Sequence, residues 1–279
     1  MNTKTKQTVF KTLVILILTI CSLVVLYPII YVISNAFSPK ATAANSNPIP
    51  FADGFSTIQF EKLFNETNYL LWFQNTFIIA LCTAILTVIC CSLAAYVFSR
   101  FKFMFKKSMM MAMLILQIFP SFVGMIAIFV IINRIHAYNQ LWGLVLVYVA
   151  GNIPYNTWLV KSYLDTIPKS LDEAARIDGA NHLKIFFRVI LPIARPMIIF
   201  LAITSFTGPW MDWIFPKMVL GQDEKYTLAI GLISFIDGTR NQFTLFAAGA
   251  LVICIPFVIF FIISQKAMTT GLGAAAVKE

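Results

Sequence analysis

Residues 70–98 read LLWFQNTFIIALCTAILTVICCSLAAYVF, and no Asp, Glu, Lys or Arg occurs between Glu66 and Arg100. A hydrocarbon core about 30 Å thick needs about 20 apolar residues of helix, so this stretch is more than long enough to cross it. The surplus implies tilt, or an amphipathic approach at Tyr69 to Phe73. Working outward from charge to charge, similar apolar stretches fall near residues 12–36, 109–132, 141–160, 196–216 and 243–264. An all-α polytopic membrane protein with six transmembrane helices follows, in one transmembrane domain over residues 1–279. The composition agrees: 59% of residues are hydrophobic, 12% are charged and mean hydropathy is +0.82, far from a soluble domain with about a quarter of its residues charged.

The net charge of +9 is a matter of topology before it is a sign of nucleic acid. With a cytoplasmic N-terminus, 15 of the 21 Lys and Arg fall on the inner side, so the positive-inside rule places both termini in the cytoplasm. The charge-free run from Lys11 to Lys40 exceeds a signal peptide despite the A-x-A-like triplet at Ala41 to Ala43, and reads as an uncleaved first helix. All five tryptophans lie near expected helix ends, where the ring suits the headgroup level. Pro28, Pro120, Pro154, Pro209 and Pro256 interrupt spans; each removes a backbone donor, and the freed carbonyls suit a bundle that encloses a cavity.

Chemistry for catalysis is missing from the pattern. Cys21, Cys82, Cys90, Cys91 and Cys254 lie in apolar stretches without C-x-x-C spacing, which argues against a metal site or a disulfide framework. His136 and His182 have no ligand-spaced companions. No G-x-x-x-x-G-K-[ST] run occurs, so the chain has no phosphate cradle of its own. The expectation is a non-catalytic subunit that binds no cofactor or metal.

The most patterned polar region is the inner stretch between the fourth and fifth spans, about residues 165–192. Ser170-Leu171-Asp172-Glu173 has capping-box spacing, in which the Ser170 hydroxyl accepts from the Glu173 amide and the Glu173 carboxylate reaches back. Gly179 is placed to end that helix and Asn181 to begin another. Leu183, Phe186, Phe187 and Ile190 then fall at helical spacing opposite Lys184 and Arg188, before Pro192 and Pro196 stop the run. Such a helix–turn–helix either lies along the headgroups or docks into a groove on a soluble partner.

Glu173-Ala174-Ala175, Gly179 and Val189-Ile190-Leu191-Pro192 resemble the E-A-A-x-x-x-G-(x9)-I-x-L-P signature of membrane subunits of binding-protein-dependent ABC importers, with Val189 in place of the usual Ile. Gln74-Asn75-Thr76, Ser92-Leu93-Ala94-Ala95-Tyr96 and Arg100-Phe101 resemble its carbohydrate branch. The ending Thr270 to Lys278 is similar to the tail of the smaller membrane subunit of maltose and maltodextrin importers. The resemblance implies a type I importer permease fold with cytoplasmic coupling helices, in a bacterial cell membrane. It implies as partners a second homologous permease, two cytoplasmic ATPase subunits that carry ATP and Mg, and an extracellular or periplasmic sugar-binding protein. Glu173, Ala174, Ala175, Asp178, Gly179, Leu191 and Pro192 are then the ATPase-coupling residues, and Gly273, Val277 and Lys278 a second contact with the ATPase. Glu173 retains two readings, cap and coupling.

Asp212 is the one acidic residue near a span interior. It faces either the sugar pathway, with Thr204 and Thr207, or an interface; a lone carboxylate at the midplane would cost about 2.5 to 3.5 kcal/mol. The function expected is half of the pathway of an ATP-driven oligosaccharide importer, of the maltodextrin class or for another sugar. The rival is a self-sufficient secondary carrier using Asp212 or Arg134.

Overall fold

No Gly or Pro interrupts residues 69–100, and in a computed structural model of the chain they form one 32-residue helix. The structure describes residues 3–40, 47–118, 121–237 and 241–276. In chain order its helices are α1 (Thr3–Ala36), α2 (Ile58–Asn65), α3 (Tyr69–Arg100), α4 (Lys106–Ile118), α5 (Ser121–Arg134), α6 (Leu141–Asp165), α7 (Ser170–Ile177), α8 (His182–Ile185), α9 (Leu191–Ile193), α10 (Arg195–Met211), α11 (Ile214–Val219), α12 (Leu228–Ile236) and α13 (Phe243–Ala276). A π-turn at Phe186–Ile190 joins α8 to α9, and a 3₁₀ turn at Asp223–Lys225 precedes α12.

Several expected spans differ in continuity. The third, 109–132, is carried by two helices, α4 and α5, and Pro120 lies outside the described residues. The fifth, 196–216, ends as a helix at Met211: Asp212 is extended at φ −87° and ψ 122°, and α11 restarts at Ile214. The fourth continues past residue 160 to Asp165, and α13 continues past 264 to Ala276. α2 and α12 lie in stretches read as loops, and α11 runs from the end of the expected fifth span into the loop after it. Hydropathy reports how many apolar residues are available, not whether their backbone bonds run unbroken, which explains all of these differences.

The chain divides into two units, residues 1–69 with 232–256 and residues 70–231 with 257–279. In the first, Leu63 and Tyr69 are fully buried with Ala247 and Ala248, and the Tyr69 hydroxyl donates to the Gly249 carbonyl at 2.8 Å. Along α1 the apolar residues from Phe10 to Ile30 are exposed, save the half-buried Val14.

The second unit has two apolar clusters. One gathers Ile79, Ile132, Leu144, Phe215, Val219 and Ile230; the other gathers Cys91, Tyr96, Leu164, Ile185, Ile190 and Leu201. The start of α3 is tied to the approach to α12. Asn75 Nδ2 donates to the carbonyls of Glu224 at 2.8 Å and Tyr226 at 3.0 Å, and the Thr76 hydroxyl accepts from the Leu228 amide at 2.8 Å. Trp72 donates from Nε1 to the Asp223 carbonyl at 3.0 Å and is only 3% exposed. Trp72 and Trp210 are thus buried in packing rather than open at the headgroup level, whereas Trp142 and Trp213 are exposed.

The Trp72 ring lies flat against Gly231, so closely that a β-carbon there would overlap Cε3, Cδ2 and Cζ3 of the indole. Gly231→Ala is therefore an overpacking substitution, expected to cost about 1–3 kcal/mol. A lowered Tm of the purified assembled protein checks this, and an unchanged Tm contradicts the close approach.

Candidate functional site

The residues between α6 and α10 form a clamped hairpin of short helices. α7 begins at Ser170 and is followed by Asp178; Gly179 then takes a φ of +77°, a left-handed conformation that costs other L-residues about 1–2 kcal/mol. The turn is closed by the Gly179 amide on the Arg176 carbonyl at 2.9 Å and the Ala180 amide on the Ala175 carbonyl at 2.9 Å. Asn181 caps α8, its side chain accepting from the Lys184 amide at 2.9 Å.

The capping box at Ser170 does not form. The Asp172 and Glu173 amides both donate to the Lys169 carbonyl, at 3.0 and 3.1 Å, so Lys169 is the cap residue and makes no side-chain cap bond. Ser170 thus sits inside the first turn instead of before it, and the capping role read for Glu173 falls away. Pro192 does not stop the second helix either: the chain turns through the π segment, where the Leu191 amide donates to the Phe186 carbonyl, and Pro192 is accommodated in the first turn of α9. The stop comes at Ala194, where the axis bends by 81° into α10.

The clamp is an ion pair that spacing along the chain did not reveal. Arg100, at the end of α3, is 3% exposed in its side chain and places Nε 3.1 Å from Oδ2 and 3.3 Å from Oδ1 of Asp172, itself 5% exposed. The same guanidinium donates to the Leu164 and Ile167 carbonyls, each at 3.1 Å. Leu164 lies in the last turn of α6 and Ile167 two residues past its end, where the negative end of the helix favours a positive charge. Asp172 lies in the first turn of α7, where a negative charge is favoured. One side chain therefore fastens three helix ends. Beside it, Asp165 accepts from Ser99 Oγ at 2.7 Å and from Lys161 Nζ at 2.5 Å. Partial burial opposes ionisation of Asp165, but these two bonds hold its carboxyl below the usual carboxylate range.

Aromatic rings complete the attachment. Tyr96 packs on Phe186 with centroids 5.1 Å apart and on Phe101 at 6.0 Å, and Phe101 meets the His182 ring at 4.8 Å. What the hairpin leaves open is apolar and charged with both signs: Ile177 is 89% exposed, Leu183 63% and Phe187 58%, with Glu173, Ala174, Asp178, Lys169, Arg176, Lys184 and Arg188 also exposed. Ala175 and Leu191 are half-buried and Pro192 is exposed. Large apolar side chains this open, on a base this firmly held, describe a surface prepared for contact.

The polar residues expected along a pathway are held by local bonds. The Thr204 hydroxyl donates to the Phe200 carbonyl at 3.0 Å, and the Thr207 hydroxyl to the Thr204 carbonyl at 3.1 Å. Asp212 accepts the Ile214 amide at 3.0 Å and the Tyr148 hydroxyl at 3.0 Å, so it starts α11 and ties α6 to the break after α10. Between α3 and α10 lies a groove of about 630 Å³ walled by Phe77, Leu81, Ile85, Ile199, Ile203 and Phe206. Its walls are apolar and offer sugar hydroxyls no partner. Gly273 falls in α13, while Val277 and Lys278 lie outside the described residues.

Residues 88–271 match the family profile described as the inner membrane component of binding-protein-dependent transport systems. The chain is 39% identical over 279 residues to the maltodextrin transport system permease protein MdxG of Bacillus subtilis (strain 168), covering 100% of each. It is 37% identical over 267 residues to the galactooligosaccharides transport system permease protein GanQ of the same organism, covering 94% of each. In structure it is similar to a chain of a bacterial ABC transporter involved in the import of the acidic polysaccharide alginate, with a TM-score of 0.81, 21% identity, and coverage of 94% and 97% of the two chains. With the family signature spread over the hairpin and the helices that hold it, the chain belongs to the binding-protein-dependent permeases and is a multi-pass membrane permease subunit of an ABC sugar importer.

Proposed function

We propose that this permease forms half of the pathway for a malto-oligosaccharide and transmits the movement of cytoplasmic ATPase subunits through the hairpin at 165–192. The observation that carries the reading is the buried Arg100–Asp172 pair, which makes the hairpin an extension of α3 and α6 while leaving Ile177, Leu183, Phe187 and Glu173 open. Glu173, Ala174, Ala175, Asp178 and Gly179 meet the ATPase, and Leu191 and Pro192 carry the displacement into α10. The tail residues Gly273, Val277 and Lys278 supply a second contact, and Thr204, Thr207 and Asp212 lie along the sugar path. Six spans with both termini in the cytoplasm put the hairpin on the ATPase side. A second permease completes the pathway, two ATPase copies bind ATP and Mg, and an external protein delivers the sugar; this chain itself binds no cofactor.

The sugar class rests on the relative named for maltodextrin. The relative named for galactooligosaccharides supports a second reading, a galactooligosaccharide as cargo. Uptake by proteoliposomes holding the whole importer separates them: ATP-dependent accumulation of labelled maltotriose, uncompeted by galactotriose, is the expected result. The reverse preference selects the second reading, and gradient-driven uptake by the permease alone contradicts both.

Two substitutions test the coupling. Arg100→Met leaves a buried carboxylate without its partner, for which the expected cost is about 3–5 kcal/mol, read as lost assembly and uptake. Combining it with Asp172→Leu is expected to restore part of that stability, because no buried charge then remains; additive losses in the double-mutant cycle contradict the clamp. Gly179→Pro cannot adopt the φ of +77°. It is expected to reduce co-purification of the ATPase and sugar uptake together, and unchanged values of both contradict the docking role.

A further inference from the structure

Three helices show their first charge at one level. α3 carries none before Arg100, α6 none before Lys161 and α4, which runs away from that level, none after Lys107. Direct bonds hold these ends together. Ser99 Oγ donates to Asp165 Oδ1 at 2.7 Å, Trp158 Nε1 donates to the Met110 carbonyl at 3.1 Å, and Lys106 Nζ donates to the Phe101 carbonyl at 3.2 Å. Charge is tolerated where a helix leaves hydrocarbon, and an indole with a bonded N–H suits the same depth. The ends of α3 and α6 and the start of α4 therefore mark one edge of the bilayer core.

Positive charge is in excess at that edge. Lys106 and Lys161 each stand about one helical turn outward from the Trp158–Met110 bond, and Lys161 Nζ lies 5.9 Å from the centroid of the Trp158 ring. Lys106 lies within electrostatic reach of Lys161, Lys169 and Lys102, with Asp165 as the opposing charge. Arg100 is matched by Asp172 and Lys161 by Asp165. Among the described residues, Lys102, Lys106 and Lys107 have no carboxylate at ion-pair distance. Lys106 has bonded the Phe101 carbonyl, and an ammonium has further N–H groups to donate. The loop between α3 and α4 is built rather than loose: the Lys106 amide donates to the Phe103 carbonyl at 3.3 Å, and the Phe103 ring packs on Phe98 with centroids 5.7 Å apart. Its tip is apolar, with Met104 85% and Phe105 59% exposed between the ammonium groups of Lys102 and Lys106.

We infer that Lys102, Lys106 and Lys161, grouped about Trp158 and the Met104–Phe105 tip, form a binding site for the phosphate of an anionic phospholipid. The unmatched charge selects the headgroup: basic residues beside a membrane helix attract anionic lipid, whereas a zwitterionic headgroup brings its own cation. Depth selects a lipid over a soluble anion, because the ammonium groups stand where three apolar runs end and phosphates begin. The indole of Trp158 meets the glycerol level, and Met104 and Phe105 meet the first part of the acyl chains. A lipid seated there joins the start of α4 to the end of α6 through its phosphate. The site lies in whichever leaflet this edge faces, so it goes beyond the transport reading and does not depend on the orientation proposed above.

The test places the complete importer in nanodiscs of phosphatidylcholine doped with a photoreactive phosphatidylglycerol or, separately, a photoreactive phosphatidylcholine, each with its diazirine near the headgroup. Adducts are mapped by mass spectrometry. Peptides holding residues 101–110 and Trp158 are expected to carry several-fold more adduct from the phosphatidylglycerol probe, and Lys102→Gln combined with Lys106→Gln to abolish that preference. Equal labelling by the two probes overturns the proposal by showing lipid contact without headgroup selection. A preference that survives in the double variant overturns it by tracing the effect to general surface charge. Loss of the preference on adding inorganic phosphate at constant ionic strength overturns it in favour of a soluble anion, and no adduct from either probe overturns it by showing a protein occupant. If the double variant does not assemble, the exposed Lys102→Gln alone is read for a partial loss of preference. Sugar uptake by the same preparation reports separately on the transport reading.

Discussion

Arg100 is the residue on which the architecture of the hairpin turns. A buried guanidinium is costly unless its donors are matched, and here they meet a carboxylate on α7 and two carbonyls at the end of α6. Those acceptors lie at or just beyond helix ends, where the helix dipole favours a charge of the matching sign. The arrangement thus turns three helix ends into one joint. A surface ion pair at the same spacing would contribute little; burial is what makes removal of either partner expensive.

Around that joint, packing converts attachment into a lever. Tyr96, Phe101 and Phe186 fill the space between α3 and the π-turn, and the π-turn feeds α9 before the 81° bend into α10. Force applied to the exposed apolar side of α7 and α8 meets a well-filled cluster instead of a loose loop. The open residues Ile177 and Leu183 have no intramolecular reason to be apolar. A partner surface would give them one, which is the role proposed above for the hairpin.

The legible part of the fold was the part governed by charge and length. The gaps between Lys11 and Lys40 and between Glu66 and Arg100 mark α1 and α3, because lipid excludes charge wherever a helix crosses it. The left-handed turn at Gly179 and the cap at Asn181 were readable because both are local demands on one residue type. The Ser170 cap was misread since Lys169 already lies in helical conformation, so the helix begins one step earlier than its hydroxyl suggests. Arg100–Asp172, Tyr148–Asp212 and Asn75 on the approach to α12 were out of reach of pattern reading: their partners are 72, 64 and about 150 residues away. In retrospect, the run Gln74-Asn75-Thr76 was the available signal, since polar residues at the start of an apolar helix need partners nearby in space.

The central claim is that the hairpin is a rigid handle held by a nucleotide-driven partner. A photo-cross-linking residue at Ile177, whose side chain is 89% exposed, measures this directly in the assembled importer. The account predicts an adduct with the ATPase subunit that is lost when the Arg100 clamp is removed. An adduct with lipid alone, or with no ATPase in any nucleotide state, contradicts it.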